Sequence, residues 1–290
     1  MIRRLLCILA LVMAFAAAVP SVSAQRVDGP IAGSRAAVPL DKGWRFRFGS
    51  PGAGVTNVGF DDSDWEAVTI PHSWNRIGEY RLKRSDQANN DRGVGWYRLS
   101  VDAPAARAGM RQYLDFAGVG EIAKVWVNGT PVGGHRGAFS RFRLDVTRAW
   151  RPGATNLIVV SADNSKPEIG SSTANVIPLA GDFFIHGGIY REIALLQLPS
   201  VSIDPLDYGG PGVYALATNV TDQAARVDVR TQLRNFGPAR DVTATARIRD
   251  ANGVVVATAS SKVRLDGKTG TALSRLSVAD PHRWNGRADP

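Results

Sequence analysis

The chain predicts an all-β protein made of a jelly-roll sandwich at 25–200 and an immunoglobulin-like sandwich at 201–290. Three observations carry this: side chains alternate with period two wherever a pattern can be read, turn residues punctuate the runs, and the composition shifts near Leu198-Pro199-Ser200. Period two sends one set of side chains to a core and the other to water, as in antiparallel sheets.

Residues 1–24 come first and stand apart. Met1-Ile2-Arg3-Arg4, the apolar run Leu5–Val19 and Ser21-Val22-Ser23-Ala24 have the charge, apolar stretch and small-residue site of a secretory signal, with cleavage expected after Ala24. The run is short of the roughly 20 apolar residues that span a bilayer, and no later stretch approaches that length, so an exported protein without a membrane span is expected. The one cysteine, Cys7, lies in this segment, which removes disulfide and thiolate chemistry from the mature chain. The formal charge of +9 falls to +7 once Arg3 and Arg4 leave. The arginines are scattered singly among aspartates with no recognition-helix pattern, so nucleic acid is not an expected partner.

Within the first sandwich, Phe142, Leu144 and Val146 alternate with Arg141, Arg143 and Asp145. Asn128-Gly129 follows Lys124–Val127 where a tight hairpin needs residues that tolerate positive φ. Short turns at Asp61–Trp65 and Thr147–Trp150 are the places where helix is conceivable. Trp96 and Trp126 fall inside strand patterns, so packing in a core or an interface is expected before sugar stacking. In the second sandwich Val227, Val229, Thr231 and Leu233 form one face, and Val242, Ala244, Ala246 and Ile248 another, with Asn252-Gly253 predicting a second hairpin.

Eight segments in order resemble the N-terminal sugar-binding domain of family 2 glycoside hydrolases, with its galactose-binding-like jelly roll. They are Trp44-Arg45-Phe46, Phe60–Trp65, Ile70–Asn75, Gly93–Arg98, Leu114–Val119, Val125–Gly129, Phe142–Thr147 and Gly187–Glu192. Asp207–Tyr214 and Trp284–Pro290 resemble the immunoglobulin-like domain that follows. The resemblance implies a β-galactosidase-like parent that hydrolyses terminal glycosidic bonds. It also implies one further strand of the second sandwich and then a catalytic barrel with two glutamates, both beyond Pro290. Retaining glycosidases need two carboxyls about 5–5.5 Å apart. None of Glu66, Glu79, Glu121, Glu168 and Glu192 stands in such a context, so no catalytic residue is assigned and the chain alone is expected to be inactive.

The resemblance further implies that Asp182, nine positions before Arg191, accepts hydrogen bonds from sugar hydroxyls; an ionised carboxylate is acceptor-only and makes short, strong bonds of this kind. The alternative is an aspartate that caps a loop. Asn89 and Asn90, in the loop before Gly95-Trp96-Tyr97, are candidates for a second family contact. His186, and with it His72, can face the same cleft, although a loop histidine more often satisfies local hydrogen bonds. Four histidines without paired spacing give no metal site, and no cofactor is expected. A freestanding carbohydrate-binding module and an all-β adhesion protein are the competing functions. The first needs a platform of exposed aromatics and the second repeated modules, neither of which is legible.

Overall fold

The structure, a computed structural model, describes residues 25–26, 36–75, 91–103, 109–174, 176, 186–283 and 286–288. The predicted signal segment and three of the predicted site residues, Asn89, Asn90 and Asp182, lie outside these. Strands are numbered β1 (Gln25–Arg26), β2 (Ala36–Pro39), β3 (Trp44–Phe48), β4 (Glu66–Val68), β5 (Val94–Asp102) and β6 (Met110–Phe116). They continue as β7 (Ile122–Val127), β8 (Thr130–Arg136), β9 (Phe142–Asp145), β10 (Thr155–Asp163) and β11 (Ile193–Pro199). The remainder are β12 (Val201–Ile203), β13 (Val213–Thr218), β14 (Ala224–Asn235), β15 (Arg240–Arg249), β16 (Val255–Leu265) and β17 (Thr269–Ala279).

The first sandwich packs a sheet ordered β4-β3-β5-β10-β7-β8, with β1 parallel to the end of β5, against a sheet ordered β2-β11-β6-β9. Alternation places Tyr97, Leu99 and Val101 of β5, Val125 and Val127 of β7, and Ile158 and Val160 of β10 on the inner face. They meet Leu114, Phe116, Ile193 and Leu195 of the other sheet in one continuous core. Fully burying one such side chain contributes about 1.5–3 kcal/mol, so this core dominates the stability of the unit.

The outer face of the larger sheet is covered in part by residues 49–65. Arg98, pointing outward from β5 yet only 3% exposed, anchors that cover through Asp62 at 2.6 Å and the carbonyls of Val55, Asn57 and Phe60. Trp96 and Trp126 also lie on this face, half-buried and stacked on each other with ring centroids 5.8 Å apart. They therefore pack against one another rather than into the core. The stretches at Asp61–Trp65 and Thr147–Trp150 are turns.

The predicted hairpin at Asn128-Gly129 joins β7 to β8 with φ values of 51° and 81°. The turn at Asn252-Gly253 is wider than a two-residue hairpin, since Arg249 pairs with Val255 and only Gly253 takes positive φ. Asp250 explains it: its side chain accepts from the backbone of Asn252 and Val254, stabilising five intervening residues.

One residue, Ser200, separates β11 of the first sandwich from β12 of the second. Its hydroxyl donates to the Gly109 carbonyl at 2.7 Å, and its own carbonyl accepts from Phe236 at 3.0 Å. In the second sandwich β14 pairs with β12 and β13 on one side and with β17 on the other, opposite the hairpin β15–β16. Its core is small, centred on Leu233, Leu265 and Ala272, and the inward face of β15 is only half-buried. Tyr113 of β6 and Leu196 and Leu198 of β11 meet Leu206 and Phe236 of this sandwich, with the Arg111 guanidinium lying 3.4 Å over the Phe236 ring. Arg143 crosses the same junction to the carbonyls of Pro205 and Gly210.

Candidate functional site

Antiparallel pairing gathers chemistry at one end of the larger sheet. Asp163 at the end of β10 faces Val94 at the start of β5 and Ile122 at the start of β7, and Ile122 faces Arg136 at the end of β8. The segments 76–90 and 177–185, which hold Asn89, Asn90 and Asp182, leave and re-enter the described chain at Asn75, Asp91, Val176 and His186. The side chain of Asn75 ties two of the others to itself, bonding Asp91 directly and Gly187, the residue after His186.

Asn75 is buried and hydrogen-bonded at both ends of its amide. Its Oδ1 accepts from the Gly187 backbone at 2.9 Å and from Asn164 Nδ2 at 3.1 Å, while its Nδ2 donates to the Asp91 carbonyl at 3.0 Å. Asn164, fully buried just after β10, extends the network: its Oδ1 accepts from the Gly93 backbone at 3.0 Å and its backbone N donates to the Gly93 carbonyl. Asparagine suits both positions because each amide supplies donor and acceptor in one plane, and a buried backbone group left unpaired costs about 1–3 kcal/mol.

Trp74 forms the wall of this end. Its ring stacks on Phe46 with centroids 5.9 Å apart, and its Nε1 donates to the Asp91 carbonyl at 3.0 Å. The ring leaves no room for neighbours with side chains: a Cβ on Gly187 would lie 1.9 Å from it, and one on Gly95 2.4 Å. His72 is hydrogen-bonded through Nδ1 to the Tyr97 hydroxyl at 2.8 Å, and burial pushes the Tyr97 phenol well above its ordinary range. It is among the residues lining a groove of about 610 Å³ beside β4, with Arg45, Glu66, Thr69 and Ser73, and its ring packs on Phe46 with centroids 4.7 Å apart. His186 is exposed at the flank of 177–185, one residue from the backbone N–H that bonds Asn75.

Glu121 is the residue that sequence reasoning passed over. It is 1% exposed, neither carboxylate oxygen is hydrogen-bonded, and burial pushes its pKa up to about 7 against the pull of Arg92. No periodicity marks it, because it lies just before β7 and outside that strand's alternation. Among the described residues no group of three or more metal-ligating side chains occurs, and no helix is long and apolar enough to cross a membrane.

Residues 39–199, just over half the chain, match the sugar binding domain of the glycosyl hydrolases family 2. The chain belongs to glycosyl hydrolase family 2. A β-glucuronidase of Bacteroides fragilis is 32% identical over 274 residues, covering 93% of this family 2 chain and 35% of the relative. A β-galactosidase of Bacteroides ovatus is 28% identical, covering 83% of the chain and 27% of the relative. Among solved structures, a putative β-galactosidase from Bacteroides fragilis superimposes with a TM-score of 0.75 at 32% identity, covering 88% of the chain and 37% of that structure. A Bacteroides uniformis β-glucuronidase shares the fold, with a TM-score of 0.76 at 24% identity. The family 2 chain thus spans about a third of the length of these relatives.

Proposed function

We propose that this chain is the non-catalytic, carbohydrate-binding part of an exported family 2 glycosidase. A catalytic barrel, absent from these residues, supplies the two carboxyls. Asp182 is the proposed acceptor for sugar hydroxyls, with Asn89, Asn90 and His186 beside it. The substrate class is a terminal β-glycoside, either a β-galactoside or a β-glucuronide, since the relatives carry both names.

The observation that carries this reading is the hydrogen bond from the Gly187 backbone to Asn75, which ties the flanks of the two candidate segments together. Ligand contacts on loops held by a rigid scaffold are the common arrangement for binding sites. The test is made on the chain joined to a family 2 catalytic barrel, assayed with aryl β-galactoside and aryl β-glucuronide side by side. Asp182→Asn keeps size and removes charge, and is expected to lower kcat/KM on the preferred glycoside by about tenfold to a hundredfold. Wild-type activity in that variant removes Asp182 from the site. Hydrolysis of either glycoside by residues 1–290 alone overturns the non-catalytic assignment.

A further inference from the structure

Glu121 presents a physical problem that the fold does not solve. Its backbone is fully engaged, with the N–H donating to the Asp163 carbonyl at 2.9 Å and the carbonyl accepting from Gly137 at 3.0 Å. The side chain is nonetheless buried with both oxygens unpaired. An ionised carboxylate without partners is among the costliest groups to bury, so the arrangement seen here is that of the neutral acid.

Three charged groups face it, one from each neighbouring element: Arg92 before β5, Arg136 at the end of β8 and Asp163 at the end of β10. Two of them are already committed. Arg136 donates to the carbonyls of Ser172 and Ala174, while Asp163 accepts from the Ser172 hydroxyl at 2.5 Å and the Ser165 backbone at 2.9 Å. Arg92 is different, because its Nη1 is buried with no acceptor. An orphan acid and an orphan donor of opposite charge therefore stand together, and each is what the other lacks.

We propose that Glu121 and Arg92 form a proton-controlled latch. With Glu121 neutral the guanidinium is released, and with Glu121 ionised it swings onto the carboxylate and draws in residues 91–93. Loss of the proton to solvent is the only chemistry required. The movement reaches the candidate site through the neighbouring residue: the Asp91 carbonyl accepts from both Trp74 Nε1 and Asn75 Nδ2, so shifting it shifts the side chain that ties Asp91 to Gly187. Glu121 is thus a positioning residue, acting through Arg92 and Asp91. The latch requires no assumption about the ligand, so its failure and that of the carbohydrate reading are separable.

Trp74 is a built-in reporter. The indole N–H signal of Trp74 is followed by ¹⁵N–¹H NMR on the ligand-free chain from pH 5 to 8.5, with the histidine C–H signals recorded alongside to give the midpoints of His72 and His186. In the wild type the indole signal is expected to move with a midpoint of about 7. Glu121→Gln, a permanent mimic of the neutral acid, is expected to lose that transition and hold the acid-limit position. Arg92→Met removes the cation that favours the ionised form, so it is expected to raise the midpoint by about half a unit or more and to shrink the amplitude. A Glu121→Gln variant that titrates like the wild type overturns the latch. If that variant does not fold, Arg92→Met decides alone, and an unchanged midpoint and amplitude overturn the proposal.

Discussion

Asn164 Nδ2 donates to Asn75 Oδ1 at 3.1 Å, joining residues 89 positions apart at the end of the larger sheet. Each asparagine also holds backbone from another segment, Gly187 and Asp91 for the one and Gly93 for the other.

Asn75→Ala therefore takes the acceptor from the Gly187 N–H, an acceptor from the Asn164 amide and a donor from the Asp91 carbonyl. A loss of about 2–4 kcal/mol in the unfolding free energy is expected in urea titration. Asn164→Ala should cost a similar amount, and the double variant less than the sum, because the two share one bond. Additive losses would show that the pair is not a unit.

Arg98 gives a second prediction. Arg98→Met takes the guanidinium away from Asp62 and from the carbonyls of Val55, Asn57 and Phe60, and removing one partner of a buried charge pair costs about 3–5 kcal/mol. Arg98→Lys keeps the charge and loses the planar fork, so its loss should be intermediate. Residues 49–65 should become the first site of proteolysis in both, and an unchanged cleavage pattern would detach that cover from Arg98.

The buried acid has a signature in stability against pH. Its folded value of about 7 lies above the roughly 4.3 of an unfolded glutamate, so the folded state holds the proton more tightly. This contribution is complete below about pH 4.3 and is lost as pH rises toward 7. Asp145 works in the opposite sense: the hydroxyl and backbone of Thr147 and the Arg111 guanidinium outweigh its burial and hold its carboxyl low, giving stability that fades on acidification. Glu121→Gln isolates the first effect. Its stability relative to wild type should rise between pH 5 and 8, by on the order of 2 kcal/mol, in parallel calorimetric melts. A difference that does not change with pH would contradict the assignment.

The second sandwich is expected to be the weaker unit. Leu216 and Leu273 are 66% and 70% exposed, and the far edge of β15 has no paired strand among the described residues. An open edge is a template for association between chains. Limited proteolysis should cut beyond about residue 200 and leave the first sandwich intact; equal resistance of both units would refute this.

Strands were the legible part of the fold, because burial on one face writes itself into alternation: Phe142 and Val146 are buried where the pattern put them. The Asn128-Gly129 hairpin was legible for the same local reason. The turn at Asn252-Gly253 was not, since its width is set by Asp250 two residues earlier. The candidate site was legible only as family motifs. Asn75 stood within a quoted motif without an evident task, because its partners Asn164 and Gly187 come from distant sequence. Glu121 left no trace, since its isolation depends on where Arg136 and Asp163 spend their hydrogen bonds.

Ser200 fixes more than a boundary. A connector of one residue reaches about 3.5 Å and leaves no slack for one sandwich to wander relative to the other. With Arg111 clamped over Phe236 and Arg143 tied to Pro205 and Gly210, the two units make a strut rather than beads on a string. Labels placed on β8 and β16 should report one sharp separation. Whatever is fused beyond the second sandwich would be held at a set distance and angle from the Asn75 end, as by a carpenter's square.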